Sequence, residues 1–569
     1  MKTTFVTKKY RVLLLAGLLG WIVCMVGDMA DTIFAGIFIG EDAVSAVALV
    51  TPVFSILMCL CTLIGAGTTT LYSRAAGAFD KEKAYKVAGM GVLLSLILGV
   101  LLALLMILGE DAYFAFYSSS PEVEALAREY YNCFYILAFI YPIYWEMYYL
   151  VSADADATLC VAADVATAGL NVLFSILFVN KFGIKGLALG TVASLILSSV
   201  FIIAHFFLKT NSIHFKMSFN LKDFGKMCAI GSSSSLSTFY LAITDIVINK
   251  YLITHFSDKY LAAYSVVNLI LNLACCFLCV IDAAGPFISV SYGEKNPNGI
   301  RKIMNLSTKY ALGIGLLFMV VLEALATVLP NLYGITNPEI YDAAVYSGRV
   351  LPISMVVTAL VYEWGNYYPK VDKVVLGNIS SAIYMLVAPL VFVPLIANQF
   401  GYEGLVWGFF LTPFASLVYI FIHVAIKYGV KTFPYIIEEV DTKIFTYDLQ
   451  VNEDGIVETN NKMQADLQSI GVDDGLIKKI QLLAEETLMI VHDRNEGKKI
   501  LADCTVMVDD EKISLITRDN GEVFDVTEVN GDIKTFREYV TAQLMTSGQE
   551  NSYLLTTSFN RNCFVWELS

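Results

Sequence analysis

Several things this 569-residue chain lacks narrow its reading. A positive excess is missing: 38 lysines and arginines stand against 52 acidic residues, a net charge of −14. That balance argues against a nucleic-acid partner and against adhesion to anionic lipid. Histidine is scarce, five in all, and none lies near Cys276-Phe-Leu-Cys279, whose spacing would otherwise suit a metal or a redox pair. That pair sits in sequence of lipid depth and reads as core packing, as do most of the cysteines. No small-residue cleavage site follows the first apolar stretch, so the stretch reads as a retained helix and not a leader. No catalytic or metal-ligating cluster emerges, and the chain reads as a non-enzyme.

Apolar residues are what it has in abundance, 57% of the chain with a mean hydropathy of +0.63. A soluble chain of this length would not carry so many. With about 20 apolar residues needed per span, the sequence predicts twelve helices. They centre near Val23, Leu57, Ile97, Phe139, Leu173, Ile196, Leu241, Ala274, Leu317, Val357, Ala388 and Phe414. The acidic excess is not spread evenly. Residues 432–569 carry 26 acidic and 12 basic side chains, while residues 1–431 carry 26 of each sign. A soluble acidic domain therefore begins after residue 431.

One glycine pattern occurs twice, about 217 residues apart: Gly183-Ile-Lys-Gly186-Leu-Ala-Leu-Gly190 and Gly401-Tyr-Glu-Gly404-Leu-Val-Trp-Gly408. Arg74-Ala-Ala-Gly77 and Val290-Ser-Tyr-Gly293 repeat at nearly the same offset. Close helix approach explains each run alone, but a shared offset implies a duplicated unit. The expected fold is an all-α polytopic membrane protein of twelve helices in two six-helix lobes, residues 1–210 and 211–431. A small cytoplasmic α/β domain, 432–569, follows. Duplicated halves with a site between them are an architecture of secondary transporters.

Basic residues cluster on alternate loops: Lys8, Lys9 and Arg11; Lys81, Lys83 and Lys86; Lys216, Lys222 and Lys226; Lys295, Arg301 and Lys302; Lys370 and Lys373; Lys427 and Lys431. The opposite loops carry Glu41, Asp42, Glu110, Asp111, Glu122 and Glu124, with Lys181 and Lys185 as a minor exception. The positive-inside rule then puts both termini in the cytoplasm of a plasma (inner) membrane protein.

Val26-Gly-Asp-Met-Ala-Asp31-Thr-Ile-Phe-Ala-Gly36, Ala46-Val-Ala-Leu-Val-Thr-Pro52 and Gly65-Ala-Gly-Thr-Thr-Thr-Leu-Tyr-Ser-Arg74 form an ordered series. It continues through Ser152-Ala-Asp154-Ala-Asp156, Gly169-Leu-Asn171, Ala262-Ala-Tyr-Ser and Pro286-Phe-Ile-Ser-Val-Ser-Tyr-Gly293. Over residues 10–430 this series resembles the multidrug and toxic compound extrusion (MATE) family. The resemblance implies a pair of six-helix lobes that exports an organic cation or amphipathic drug in exchange for inward protons or sodium, with no tightly bound cofactor. It also implies a cation site: Asp31 matches the first-helix acid, Asn171 the asparagine of helix five, and Thr191 a hydroxyl of helix six. Where some members have a second aspartate on helix five, this chain has Ser175.

Carboxylates at bilayer depth are expensive and are usually functional or paired. Asp28 and Asp31, three apart, share one helix face. Such a pair disfavours joint ionisation, so it can take a proton or share a sodium ion. Asp28 would supply the charge missing at Ser175; helix capping or headgroup contact is the plain alternative. Asp282, Glu363, Asp245 and Glu146 also fall in apolar surroundings and are candidates to attract a cationic substrate into a central cavity. Interhelical hydrogen bonds or ion pairs with Lys250 or Arg349 are the alternative.

The tail alternates as a strand near 444–451, helices near 455–469 and 474–493, strands near 500–508 and 512–518, a helix near 533–546, and strands near 552–558 and 563–568. This order, with Ile516-Thr-Arg-Asp519-Asn-Gly521 and the helix bearing Glu485 and Glu486, resembles the ATP-binding domain of anti-sigma factors and histidine kinases (the GHKL or Bergerat fold). In that family the aspartate takes the adenine amino group. Here Met489 or Ile490 replaces the magnesium-binding asparagine, and the glycine-rich lid is missing. A phosphate site needs exposed N–H groups and a cation. The tail therefore reads as a degenerate domain that regulates or binds a protein partner, with nucleotide binding without hydrolysis as the alternative.

The leading function is ion-coupled efflux by alternating access, with membrane lipid as surroundings. A lipid-linked oligosaccharide flippase of the same superfamily is disfavoured by the carboxylates. A histidine-kinase-like sensor would need a phosphoacceptor histidine between residues 431 and 444, and none is there.

Overall fold

The computed structural model describes residues 4–77, 81–117, 119–153, 157–207, 211, 213–437, 441–522, 524, 526, 535–545, 549–555 and 560–567, with backbone alone at several of these, 23–29 and 549–555 among them. The helices of the apolar part are α1 (Phe5–Phe38), α2 (Glu41–Gly77), α3 (Lys81–Tyr117), α4 (Pro121–Ala153), α5 (Ala157–Phe182), α6 (Ile184–His205), α7 (Leu221–His255), α8 (Tyr260–Leu273), α9 (Leu278–Gly293), α10 (Pro297–Leu325), α11 (Leu329–Leu332), α12 (Pro338–Val350), α13 (Met355–Lys370), α14 (Val374–Ala382) and α15 (Ala388–Tyr428). Among the described residues, ten helical stretches are long and apolar enough to cross a membrane. In hydrocarbon every backbone N–H and C=O must be satisfied within the segment, which leaves the helix as the form these runs can take. Short 3₁₀ or π turns join α8 to α9, α12 to α13 and α14 to the first part of α15, so that each pair continues as one apolar stretch. Polar residues mark the starts: Asn220 accepts from the Lys222 N–H at α7, and Asn337 from the Glu339 N–H just before Pro338 opens α12.

The repeated glycines do the same work twice. Gly183 and Gly401 adopt left-handed φ values of 57° and 63°, which glycine enters without steric cost. Gly183 separates α5 from α6, and Gly401 breaks the helical dihedrals inside α15. After each break the chain folds back closely. A methyl at Gly186 would strike the Phe178 carbonyl, and one at Gly404 the Ile396 carbonyl. Gly190 faces Ser175 and Gly408 faces Val393 in the same manner. The second landmark repeats as well: α2 ends at Gly77 and α9 at Gly293.

Packing groups the chain into two compact units. One comprises Gly17–Ile281 and Thr308–Pro434; the other comprises Met1–Ala16, Asp282–Ser307 and Tyr435–Ser569. Within the first of these units α2 lies along α7. Gly231 leaves room for the Leu63 carbonyl and Gly67 for the Met227 carbonyl.

In the other unit the tail forms a five-stranded antiparallel sheet of order β1-β2-β3-β5-β4, with β1 Lys443–Gln450, β2 Leu501–Val508, β3 Lys512–Asp519, β4 Gln549–Leu555 and β5 Asn560–Glu567. Helices α16 (Glu453–Ser469), α17 (Asp474–Arg494) and α18 (Phe536–Met545) complete it. Alternation sends Leu449, Cys504, Val506, Ile513, Leu515, Phe564 and Trp566 into a core shared with Met463, Leu467, Ile480, Leu483 and Leu488. The last two strands begin about three residues earlier than the alternation predicts.

Candidate functional site

Asp31 lies in α1 with 5% of its surface exposed, and its carboxylate is the meeting point of four helices. From α4 the Tyr130 hydroxyl donates to it at 2.6 Å, from α6 the Thr191 hydroxyl at 2.9 Å, and from α5 the Ser175 hydroxyl at 3.4 Å. Asn171, one turn before Ser175 on the same face, donates through Nδ2 to Thr191 Oγ1 at 2.8 Å. Its Oδ1 is buried and has no hydrogen-bond donor among the described residues. The cluster is therefore one carboxylate ringed by three hydroxyl oxygens, with one amide oxygen unused.

Four of the five residues expected at a cation site, Asp31, Asn171, Ser175 and Thr191, thus come together. Asp28 is helical, but its side chain lies outside those described. Tyr130 makes the shortest contact in the cluster and was not anticipated. Among 32 tyrosines nothing in its neighbourhood sets it apart, because its role depends on how α4 turns toward α1.

Asp245 accepts from the buried Tyr264 hydroxyl at 3.1 Å, joining α7 to α8. Glu363, fully buried on α13, accepts from Thr308 of α10 at 3.0 Å. Glu146, 1% exposed, packs against Gly91 and Thr68, and neither of its oxygens has a hydrogen-bond donor among the described residues. All three are buried. Asp282 is exposed. Lys250 does not pair with any of them; its ammonium donates to the Tyr117 carbonyl and lies over the Phe116 ring. Asp164 on α5, accepting from Tyr148 at 2.8 Å, is a further carboxylate that the apolar patterning did not bring forward.

In the tail, the residues that resemble a nucleotide site are engaged by their own domain. Asp519 Oδ1 accepts from the Gly521 N–H at 2.8 Å and from Asn560 Nδ2 at 3.0 Å. Burial pushes this carboxyl up to about 6, opposed by those two donors and by Lys9. Gly521 leaves space for the Asn495 amide, which a methyl would meet at 2.6 Å. Glu485 accepts from Asn460 and Glu486 pairs with Arg537.

Comparison with known proteins agrees with the duplicated helical plan. The MatE family matches the chain twice in succession, over residues 18–177 and 233–392, more than half of its length. The Multidrug export protein MepA of Staphylococcus aureus (strain MSSA476) is 21% identical over 403 residues, covering 69% of this chain and 87% of that protein. An inward-facing multidrug resistance MATE family transporter of the MOP superfamily has a TM-score of 0.64 at 23% identity, covering 72% of this chain and 96% of its own. An outward-facing structure of such a transporter gives 0.61 at 24% identity, covering 73% and 94%. The matched segments end before the acidic tail begins. The chain belongs to the MatE family: it is a multi-pass membrane protein of the MATE fold, an efflux transporter and not an enzyme.

Proposed function

We propose that this transporter exports organic cations or amphipathic drugs across the plasma membrane in exchange for an inward-moving cation, and that the cation binds at Asp31. The observation that carries the proposal is the closed cluster of Asp31, Tyr130, Thr191, Ser175 and Asn171. An intramembrane carboxylate surrounded by hydroxyls, beside an amide oxygen without a donor, has the chemistry of a proton or sodium site. The cluster supports an exchange mechanism. The cation neutralises a carboxylate that otherwise favours hydration, so loaded and empty states favour different accessibility. Asp245, Glu363, Asp282 and Glu146 are the candidates for attracting the substrate.

We read the membrane part as twelve spans. α1 is long enough for one, and Gly401 divides the 55-residue stretch Val374–Tyr428 into two. The termini share one compact unit with the Asp282–Ser307 connection, which supports placing both in the cytoplasm.

We read the tail as a GHKL-like domain retained for regulation. The element order supports this, while the engagement of Asp519, Glu485 and Glu486 within the domain argues against a working nucleotide site. Dye efflux from everted vesicles tests the whole proposal. A proton or a sodium gradient, imposed separately, should drive dye movement in wild type, and movement indifferent to both would refute coupling.

A further inference from the structure

One face of the tail sheet packs on its helices. The other face carries a row of charge. Strand register aligns Asp448 of β1, Asp503 of β2, Arg518 of β3 and Arg561 of β5 directly beside one another. A two-layer domain would ordinarily leave such a face to water. Here Arg518 and Asp503 keep only 8% and 2% of their side-chain surface exposed. What covers them is the connection between α9 and α10. Glu294, itself 4% exposed, pairs with Arg518 and, at 2.7 Å, with Arg561. Eight residues further on, Lys302 pairs with Asp448 at 2.7 Å. The connection thus presents an acid to the basic end of the row, and the first turns of α10 present a base to the acidic end. The first turns of α1 join the same unit: Val6 lines a cavity of ≈ 110 Å³ together with Ser291, Asn296, Thr446, Asp503 and Arg518.

We propose that this sheet face is a docking surface whose occupant is the α9–α10 connection of the same chain, and that the docked tail is an autoinhibitory clasp on the transporter. The second half of the statement rests on the alternating-access reading given above. Three segments are gathered: the start of α1 from the first repeat, the α9–α10 connection from the second, and the tail. Alternating access requires the two repeats to move against each other, and a domain that grips a piece of each opposes that motion. The grip is transmitted through continuous helix. Lys302 and Thr308, the donor to Glu363, both lie on α10, about 9 Å apart along the axis. The paired charges make the clasp specific: a buried ion network is costly to break from one side, because the abandoned charges have no water.

Full-length protein carrying Glu294→Arg tests this, since it sets a cation against two buried arginines. Hydrogen exchange at peptides from β2, β3 and β5 should become about a hundredfold faster, and ion-driven efflux should rise about fivefold. Glu294→Arg combined with Arg561→Glu should restore protection and lower the rate again. Lys302→Glu, acting at the other end of the row, should reproduce the single variant more weakly. Unchanged protection in both Glu294→Arg and Lys302→Glu would overturn the docking surface. Loosened tail with unaltered efflux would overturn the clasp. If wild-type vesicles show no ion-driven efflux, the exporter reading fails instead, while the exchange measurement still decides the docking.

Discussion

The Tyr130 hydroxyl donates to the Asp31 carboxylate at 2.6 Å, tying α4 to α1 across 99 residues of sequence. Thr191 approaches the same carboxylate from α6. Under the proposed exchange, a cation entering this cluster would compete with those donors, so the hydroxyls would set how tightly it is held and how readily it leaves.

Asp31→Asn keeps the shape and still accepts from Tyr130, but carries no charge to exchange. Ion-coupled efflux should fall to background while the amount of membrane-inserted protein stays at the wild-type level, as read by dye efflux and quantitative blotting of the same vesicles. Asp28→Asn should do the same if Asp28 supplies the charge that Ser175 lacks. Wild-type efflux in that variant would leave Asp31 as the only acid of the site.

Tyr130→Phe removes one donor to an anion, a bond worth about 1.5–3 kcal/mol. The freed carboxylate should hold its cation about tenfold more tightly and release it more slowly. The half-saturating concentration of the coupling ion and the maximal efflux rate should therefore both decrease. An increase in the half-saturating concentration would show that Tyr130 is itself needed to bind the ion.

Gly186→Ala and Gly404→Ala place a methyl on a facing carbonyl at equivalent points of the two repeats. Overpacking of this kind costs about 1–3 kcal/mol. Both variants should lower the thermal midpoint of the purified protein and its monodisperse yield. Gly20→Ala, where nothing stands within contact distance of an added methyl, is the control.

Asp519 gives the tail's stability a dependence on pH. Its folded-state value of about 6 lies above the ordinary 3.8, so the folded tail binds the proton more tightly than the unfolded tail does. The stability it contributes is complete below about pH 4 and is lost as pH rises through about 6, a change of about 3 kcal/mol. Hydrogen exchange at β3 in the full-length protein should therefore quicken between pH 4 and 6.5, after correction for the intrinsic rate. Asp519→Asn should flatten that trend.

Tail elements could be read from the chain with small error because amphipathic period and turn residues act locally. The strand at 443–450 and the helix at 474–494 lie within a residue or so of their predicted bounds. The two last strands were displaced because nothing local fixes where that hairpin turns. The candidate cation site was legible only in part. Asp31, Asn171, Ser175 and Thr191 were all reached through a family likeness. Tyr130 was not reached, since its surroundings do not differ from those of many other polar residues on apolar helices.

The sequence alone determined that this is a duplicated helical membrane protein with a separate acidic domain, because hydropathy, charge balance and repeated glycines are properties of the chain itself. Only the tertiary structure decided which carboxylates gather hydroxyls and which are closed off in packing. It also decided that the charged face of the tail is covered by the α9–α10 connection. Both depend on residues far apart in sequence meeting across helix and strand faces, where rotation, burial and the loss of water fix what a charge can do.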